Sequence, residues 1–256
     1  MKTNRLEEML SFIKERKQAT LEELLNKFSI SMTTLRRDIN KLEKDGDIDK
    51  FYGGVKIRRR KELTPLSKRR LINYAGKISI AEEAATFVKD GDVIFLDSGS
   101  TVGAMAEFLG KHEDLTIITN NMLAISKIVS ASDDFKHAQL ITLSGLYNFE
   151  TYSFVGEKVS ELLLTYNVGK AFMGTSGITL NANVTHSTVL EARVKKTATE
   201  KASFCYLLAD HFKFDRAAPF TYAKFDQIDE VITDESPSDD FQKLFKEHLV
   251  KLRISG

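Results

Sequence analysis

The run Asp97-Ser98-Gly99-Ser100-Thr101 has the residue types that bind an anion. It follows the apolar stretch Val93–Leu96 and precedes a helical pattern, so it occupies a strand-to-helix turn. Small residues let backbone N–H groups approach a phosphate, hydroxyls add donors, and the helix dipole favours negative charge. Glycine-serine turns also occur between strands and helices without any ligand. The run therefore predicts an anion site that depends on what the neighbouring strand ends contribute.

Three further polar runs follow strand-like segments. They are Thr119-Asn120-Asn121, Gly174-Thr175-Ser176-Gly177 and Ala209-Asp210-His211-Phe212-Lys213-Phe214. Ligands of open α/β sheets bind at the carboxyl ends of the strands. We therefore expect these runs to converge with residues 97–101 on one crevice, where Lys213 is the cationic partner of a phosphate. The competing interpretation is a solvated lysine, the usual state of a lone loop lysine.

A second group of residues has the chemistry of DNA recognition. A helical pattern at 32–45 exposes hydroxyl, amide and basic side chains, namely Thr33, Thr34, Arg36, Arg37, Asn40, Lys41 and Lys44. Arginine can bridge guanine O6 and N7, hydroxyls reach bases or phosphates, and lysine neutralises the backbone. A solvated charged helix would have the same composition. The elements around this helix therefore have to distinguish a DNA-recognition helix from a solvated one.

Those elements form a helix-turn-helix pattern. A first helix has an apolar stripe at i, i+3, i+4 and i+7, formed by Leu6, Met9, Leu10 and Ile13. A second begins at Thr20, where Glu23 completes a capping box. The third has Ser31 as its N-cap, ends at Gly46, and buries Leu35, Ile39 and Leu42. A short second helix and a tight turn set the third at the angle that fits a major groove.

A hairpin and a basic linker follow the third helix. Strands are predicted at Ile48–Phe51 and Val55–Arg58, joined by Tyr52-Gly53-Gly54. Such a hairpin is a wing that can touch flanking phosphates. The runs Arg58-Arg59-Arg60-Lys61 and Ser67-Lys68-Arg69-Arg70 are typical of an exposed linker that also contacts the DNA backbone.

The remainder of the chain alternates strands and helices. Strands are predicted at Val93–Leu96, Thr116–Ile118, Gln139–Leu143, Ala171–Met173, Phe204–Ala209 and Glu230–Ile232, and helices at 77–88, 101–109, 122–130, 154–164, 188–202 and 239–251. This alternation predicts an α/β fold, a mainly parallel sheet with helices on both faces.

Charge and composition agree with this division. Residues 1–70 hold 19 Lys+Arg against 11 Asp+Glu, and residues 71–256 hold 18 against 25, so the net charges are +8 and −7. A polyanion is therefore attracted to one end of the chain. The sequence contains no apolar run of ~18 residues, so no membrane span is predicted. The one cysteine, Cys205, lies in an apolar run and is expected as a buried thiol, which favours a reducing cytoplasm.

The first part of the chain resembles the DNA-binding domain of DeoR-family bacterial repressors. The resemblance lies in Ala19–Val55, with Ile30-Ser31-Met32-Thr33-Thr34-Leu35-Arg36-Arg37-Asp38-Ile39 followed by the paired glycines of the wing. It implies DNA contacts from Ser31, Thr33, Thr34, Arg36 and Arg37, and Lys41, Tyr52 and Gly53 complete the predicted set. Tyr52 stands where that family often has histidine.

Residues 77–234 resemble the effector domain of the same family, whose fold is related to ribose-5-phosphate isomerase. Thr119-Asn120, Ser144-Gly145, Ser176-Gly177, Glu191, Lys195 and Asp210-His211-x-Lys213-Phe214 match the family pattern in order. The resemblance implies a phosphorylated sugar as effector. The predicted effector-binding residues are Asp97, Ser98, Gly99, Ser100, Thr101, Thr119, Asn120, Ser176, Gly177, Glu191, Asp210 and Lys213. Within the family, Ser153-Phe154-Val155-Gly156 and Lys170-Ala171-Phe172-Met173 are similar to regulators of inositol catabolism.

Two other classes of function compete with a regulator. A sugar-phosphate isomerase with a DNA-binding appendage would use Asp97 or Asp210 as base and His211 as acid, but the Lys-Gly-Gly-Gly-type segment of the isomerases is missing from the sequence. The five histidines have no spacing suited to a metal. The third class is a purely architectural DNA binder without a ligand. The converging polar loops argue against it, because they indicate a ligand site.

The sequence thus predicts a regulator that is not an enzyme, with a winged helix-turn-helix domain at 1–57, a basic linker at 58–76 and an effector domain at 77–256. By family resemblance it is a homo-oligomer, a dimer or tetramer, that represses a carbohydrate-catabolism operon. A phosphorylated sugar intermediate releases it from double-stranded operator DNA. We expect a cytoplasmic protein with no metal, no other cofactor and no membrane partner.

Overall fold

The computed structural model describes residues 2–44, 48–57, 66 and 71–256. The chain divides into two compact units, Met1–Glu62 and Leu63–Gly256. The predicted helix stop at Gly46 and both basic runs of the predicted linker lie outside the described residues. In the described ranges every helix is too short or too polar to cross a lipid bilayer.

The first unit contains three helices and a small antiparallel sheet. Its elements are α1 (Lys2–Arg16), β1 (Gln18–Thr20), α2 (Leu21–Phe28), α3 (Met32–Lys44), β2 (Ile48–Phe51) and β3 (Gly54–Ile57). The strand order is β1-β3-β2. The periodic apolar residues of the helices meet in one core with Ile48 and Val55. The winged helix-turn-helix is therefore confirmed.

Two details of this unit differ from the sequence prediction. Gln18–Thr20 is a strand that no periodicity indicated, because three residues are too few to show alternation and its partner β3 lies far along the chain. The third strand begins at Gly54, one residue earlier than predicted, because Gly54 pairs with both Thr20 and Phe51.

The second unit alternates strands and helices as predicted. Its strands are β4 (Val93–Leu96), β5 (Thr116–Thr119), β6 (Gln139–Thr142), β7 (Leu146–Asn148), β8 (Ser153–Val155), β9 (Lys170–Gly174), β10 (Gly177–Ile178), β11 (Asn183–His186), β12 (Phe204–Leu208), β13 (Phe220–Lys224), β14 (Glu230–Thr233) and β15 (Lys251–Ile254). Its α-helices are α4 (Tyr74–Ala85), α5 (Ser100–Met105), α6 (Met122–Ser130), α7 (Glu157–Leu164), α8 (Val189–Lys201) and α9 (Asp239–Glu247).

A seven-stranded sheet forms the centre of this unit, in the order β15-β14-β12-β9-β4-β5-β6. Every pairing within it is parallel. Helices α4, α5 and α6 cover one face, where Ile94 and Leu96 are buried, and α7, α8 and α9 cover the other, where Phe95 is buried. Burial on both faces explains why the strands are continuous apolar runs. The α/β fold class is confirmed.

The sequence prediction missed the smaller sheets. Residues 154 and 155 were expected in a helix but belong to the strand 153–155, which pairs with 146–148 as a hairpin, so α7 begins only at Glu157. Strands β10, β11 and β13 form a separate antiparallel sheet. The last helix was expected to reach residue 251 but ends at Glu247, because Leu249 turns the chain with a φ of 58° into β15.

Candidate functional site

The exposed face of α3 carries the predicted DNA contacts. Leu35, Ile39 and Leu42 are buried, which turns the opposite side of the helix toward solvent. The side chains of Ser31, Thr33, Arg36, Arg37 and Lys41 are exposed, and that of Thr34 is half-buried. The face is free of carboxylates from Ser31 to Lys41, because Asp38 points inward and pairs with Arg5 at 2.7 Å. This pair fixes α3 against α1.

Helix caps set the geometry of the two helices. The Thr20 hydroxyl accepts the backbone N–H of Glu23 at 3.1 Å, and the Glu23 carboxylate accepts the backbone N–H of Thr20 at 2.7 Å. The hydrogen bonds that the Thr20 backbone N–H and hydroxyl donate to the carboxylate hold the pKa of Glu23 below its usual value. The capping box predicted from the sequence is confirmed. The Ser31 hydroxyl accepts the Thr34 N–H at 3.3 Å at the start of α3.

The wing presents an aromatic side chain at its tip. Tyr52 is fully exposed, and Gly53 turns the chain with a φ of 84°. A Cβ at Gly54 would lie 2.6 Å from the Ala19 carbonyl oxygen, so only glycine lets β3 approach β1 this closely. The two glycines thus set the position of Tyr52. At the base of the wing Lys50 donates to Asn40 at 2.6 Å and pairs with Glu43, which joins the wing to α3.

In the second unit, the carboxyl ends of β4, β9 and β12 open onto one polar cleft. The cleft is lined by Lys77, Ser98, Gly99, Ser100, Thr101, Val102, Gly174, Thr175, His186, Lys195, Leu208 and Lys213. Five of the predicted effector residues are among them: Ser98, Gly99, Ser100, Thr101 and Lys213. Because the three strands are adjacent in the sheet, the loops after them meet, as predicted for three of the four polar runs; the run at 119–121 does not line the cleft.

A buried ion pair forms the floor of the cleft. Lys195 of α8 donates to Asp97 Oδ2 and, at 3.1 Å, to the Gly174 carbonyl oxygen. Asp97 Oδ2 also accepts the Gly174 N–H at 2.8 Å, and the Tyr222 hydroxyl donates to the Gly174 carbonyl at 2.9 Å. Burial raises the pKa of Asp97, and the Lys195 ammonium opposes that rise. Asp97 therefore holds a cation at the cleft instead of facing a ligand itself.

Asn121 fixes the turn that carries the serines. Its Nδ2 donates to the Asp97 carbonyl at 2.9 Å and to the Gly99 carbonyl at 3.0 Å, while its Oδ1 caps α6 at Leu123. Gly99 has a φ of 119°, a conformation that strains other residues. The carbonyl groups are thus held by Asn121, and Ser98, Ser100 and Thr101 are left at the cleft surface.

Glu191 and His186 form a second buried pair beside the floor. His186 Nδ1 lies 3.4 Å from Glu191 Oε2, and the carboxylate accepts hydroxyl donors from Ser153 at 2.9 Å and Thr188 at 3.1 Å. Burial opposes ionisation, but His186 and Lys195 hold the pKa of Glu191 below its usual value. Glu191 is therefore an anion that contacts His186 from behind, and His186 lines the cleft.

Asp210 lies behind the cleft in the same way. It is buried, caps the turn His211–Lys213 through the Phe212 N–H at 3.2 Å, and lies 3.7 Å from the ammonium of Lys77. Lys77, itself buried, comes from the first turn of α4. Carboxylates that sequence reasoning assigned to the ligand thus position the lysines at the cleft surface.

Other predicted residues lie around the cleft with protein partners. Thr119 donates to the Leu96 carbonyl at 2.6 Å, and Asn120 donates to the Phe154 carbonyl at 2.9 Å. The Ser176 hydroxyl pairs with that of Ser187 at 2.9 Å. A Cβ at Gly177 would overlap the carbonyl oxygen of Arg216. These four residues (119, 120, 176 and 177) are not among those lining the cleft.

Several residues that contribute to the cleft were absent from the predicted set. Those with the strongest polar chemistry are Lys77, Asn121, His186 and Lys195. The family resemblance included Lys195 and the strand-end run included Asn121, so a signal existed for both. Nothing in the local sequence marks Lys77 or His186, because each reaches the cleft only through the packing of distant elements.

The histidine of the 209–214 loop has carboxylate neighbours. His211 Nδ1 lies 2.9 Å from Asp234 Oδ2 and 3.2 Å from Glu235 Oε1. Potential ligand atoms of these three residues lie within 4.8 Å of one another, a grouping that sequence spacing did not predict. The hydrogen bond from the His211 ring to Asp234 accounts for the arrangement without a metal.

Comparison with known proteins gives matches to both units. Residues 5–61 match the family profile described as a DeoR-like helix-turn-helix domain, and residues 72–235 match the DeoR C terminal sensor domain. The chain is 36% identical to the HTH-type transcriptional regulator IolR of Bacillus subtilis, over 100% of both chains. It is 27% identical to the glycerol-3-phosphate regulon repressor of Escherichia coli, over 98% of both. It is 32% identical to the lactose phosphotransferase system repressor of Lactococcus lactis, again over 98% of both.

Among solved structures, the chain is similar to ribose 5-phosphate isomerase A of Methanocaldococcus jannaschii. The identity is 21%, the TM-score is 0.40, and the match covers 56% of this chain and 55% of that one.

Proposed function

The chain belongs to the DeoR family of transcription regulators, and from that premise we propose that it represses a carbohydrate-catabolism operon and is released by a phosphorylated intermediate. The observation that carries the ligand half of this proposal is the cleft. Three lysines, Lys77, Lys195 and Lys213, surround the hydroxyl-rich turn 98–101 in it. Cations and hydroxyl donors together are the groups that bind a phosphate.

The DNA half of the proposal rests on the carboxylate-free face of α3 and on the wing. Arg36 and Arg37 are exposed there, and Tyr52, directly before the paired glycines, lies at the tip of the wing. We assign Ser31, Thr33, Thr34, Lys41 and Gly53 to the same surface. Arginines that read bases each contribute about 1–3 kcal/mol of discrimination, whereas phosphate contacts change the salt dependence of binding.

The experiment on this half compares Arg36→Ala and Arg37→Ala in fluorescence anisotropy with operator DNA at several salt concentrations. Lys27→Ala, a basic change on α2 in the same unit, is the matched control. A base contact predicts weaker binding with relaxed specificity, and a phosphate contact predicts a smaller salt slope. Unchanged affinity and slope in both variants would contradict the assignment of α3 as the recognition helix.

The size of the cleft supports a ligand-dependent change of shape. Its free volume is about 30 Å³, whereas small-molecule pockets have ~300 Å³ or more. We expect the loops around the cleft to move apart when a whole sugar phosphate enters. Since a ligand shifts an equilibrium by binding two arrangements unequally, an opened cleft is the arrangement that ligand favours.

The glycerol-3-phosphate and lactose phosphotransferase regulators among the relatives support a phosphorylated effector. The similarity of residues 153–156 and 170–173 to regulators of inositol catabolism directs the first tests to phosphorylated products of inositol breakdown. A thermal-shift screen should include these compounds, sugar phosphates, their unphosphorylated parents and inorganic phosphate. Stabilisation by parents and phosphate esters alike would contradict a phosphate-binding cleft.

We infer that the cleft binds its ligand without transforming it. Isomerisation needs a carboxylate base beside a substrate carbon. The Asp97 carboxylate is occupied by Lys195 and Gly174, and both Glu191 oxygens accept hydroxyl groups. Relatives along the whole chain are named as regulators. Turnover of any sugar phosphate in the panel by purified protein would favour the isomerase alternative instead.

Three further features of the proposal follow from the family and the chemistry. We propose a homo-oligomer that binds repeated operator sites, a cytoplasmic location, and a basic linker within residues 58–76 that adds phosphate contacts. Sedimentation with and without operator DNA measures the oligomer. Substitution of the four basic residues at 58–61 by glutamine should lower the salt slope of DNA binding.

A further inference from the structure

One carboxylate ties the 209–214 loop of the cleft to the beginning of α4. Asp234, which follows β14, accepts the backbone N–H of His211 on Oδ1 at 2.8 Å and contacts the His211 ring on Oδ2 at 2.9 Å. The same Oδ2 accepts a hydrogen bond from Asn73 Nδ2 at 2.6 Å. Asp234 is therefore shared by the loop that carries Lys213 and by the residue that precedes α4.

The first turn of α4 is shaped to receive this carboxylate. Asn73 precedes the helix in the left-handed conformation, with a φ of 51°. A Cβ at Gly76 would overlap Asp234 Oδ2 and lie 2.6 Å from Asn73 Nδ2, so glycine alone leaves room for the contact. Gly76 is thus required by the close approach of Asp234, since its position inside a helix otherwise favours alanine.

A second link runs in parallel with the first. Lys77 lines the cleft, its backbone N–H donates to the Asn73 carbonyl at 3.1 Å, and its ammonium donates to the Ile72 carbonyl. The ammonium also lies 3.7 Å from Asp210 Oδ2. The cleft loop and the first turn of α4 therefore share two polar contacts, one part-buried at Asp234 and one buried at Asp210.

Asp234 is ionised in this setting. Partial burial opposes its charge, but hydrogen bonds from Asn73 and His211 hold its pKa below the ordinary value. An anion that accepts three donors from two elements resists separation from either, because each lost hydrogen bond to a charged group is costly. A displacement of one element is therefore carried to the other.

We propose that Asp234 is a positioning residue that transmits ligand occupancy of the cleft to the first turn of α4. The inference rests on the proposed function, because it requires a phosphorylated ligand in the cleft. A phosphate that draws Lys213 inward moves the turn His211–Lys213, and Asp234 carries that movement to Asn73. Physical coupling of this kind needs an element with two arrangements, which both sites bias.

Two variants break the contact without removing Asp234. Asn73→Gly removes the donor and suits the left-handed backbone. Gly76→Ala adds a methyl group against the carboxylate while favouring the helix. Ala75→Ser changes an exposed neighbour in the same turn and is the matched control. Hydrogen exchange of the full chain, with inorganic phosphate as the probe, follows the amides of residues 209–214 and of Lys77 and Ile78.

Phosphate should slow exchange in both segments of the wild type and of Ala75→Ser, by about 5- to 150-fold in the first turn of α4, the range of typical coupling. In Asn73→Gly and Gly76→Ala protection at 209–214 should be unchanged, and protection of the α4 turn should fall to the part that Lys77 supplies through its own contact with the cleft. Undiminished protection of the α4 turn in both variants would overturn the proposal. Loss of protection at 209–214 in both variants would overturn it too, since Asp234 would then support the cleft itself.

A ligand-free measurement separates this inference from the proposed function. If wild-type protein gives no response to phosphate, the proposed function fails, and the coupling is tested by Lys213→Ala alone. That substitution should change exchange at Lys77 more in the wild-type background than in Asn73→Gly, where only the Lys77–Asp210 contact remains. Equal changes in both backgrounds would mean that Asp234 transmits nothing.

Discussion

Replacing Lys195 by methionine removes the ammonium beside Asp97 while keeping a side chain of similar length. Both residues are at most 1% exposed, so the carboxylate is left in the core without its counter-charge. One backbone donor remains, the Gly174 N–H at 2.8 Å. Removing one partner of a buried ion pair costs about 3–5 kcal/mol, and we expect a loss of that size in the free energy of unfolding.

The loss should grow with pH. Burial already raises the pKa of Asp97, and removal of Lys195 takes away the charge that opposes this rise. An acid whose folded pKa is raised destabilises the folded state as pH increases from its unfolded pKa, about 3.9, up to its folded pKa. Within that window the slope approaches about 1.4 kcal/mol per pH unit. The variant should therefore be least stable at the alkaline end of the window.

Urea unfolding at several pH values between 5 and 8 measures both effects. Six of the seven tyrosines follow residue 62, so tyrosine fluorescence reports on the second unit. The double variant Asp97→Asn/Lys195→Met is the control, since it removes both charges and should recover most of the lost stability. A loss below ~1 kcal/mol that is independent of pH would refute the reasoning, because Asp97 would then be satisfied without Lys195.

Three other changes test separate parts of the molecule. Thr20→Ala should destabilise the first unit by about 1 kcal/mol, the usual cost of losing an N-cap, as measured by thermal unfolding. The pKa of Glu23 is lowered first by the Thr20 backbone N–H, which the variant keeps, and then by the Thr20 hydroxyl, which it loses. The stabilisation from the hydroxyl's bond to the carboxylate is present above pH ~4 and is lost as pH falls through the folded pKa, so that part of the difference between Thr20→Ala and wild type should disappear in acid. Gly177→Ala should cost about 1–3 kcal/mol, because its Cβ meets the main chain at Arg216; an unaltered melting temperature would contradict this. Lys213→Ala should weaken phosphate binding about 10- to 100-fold by calorimetry and leave operator affinity unchanged; loss of both would mean that Lys213 supports the fold.

The first unit could be predicted almost completely because its signals are local. Helical periodicity, the Thr20 and Glu23 capping box and the paired glycines each act within a few residues. Strand β1 escaped prediction because its only signal is its pairing with β3, where Gln18 faces Lys56 across the sheet.

The run at 97–101 is a strand-to-helix turn with hydroxyl groups at a cleft, as its residue types predicted. Its acidic residue, Asp97, was predicted to bind the ligand, whereas in the tertiary structure it pairs with Lys195. Glu191 and Asp210 were also predicted to bind the ligand, but in the structure Glu191 pairs with His186 and Asp210 lies beside Lys77. From residue type alone, a buried carboxylate that holds a cation cannot be told from one that faces a ligand, because burial depends on elements distant in sequence.

The amino-acid sequence by itself determined the two units, the exposed basic face of α3, and the turns at the ends of the parallel strands. These follow from periodicities and turn residues that operate over short distances. Only the tertiary structure decided which cations reach the cleft. Lys77 and Lys195 lie on helices 118 positions apart in the chain, and they meet because the sheet order places β4 beside β9 and β9 beside β12. Strand order depends on long-range packing, which no local pattern specifies.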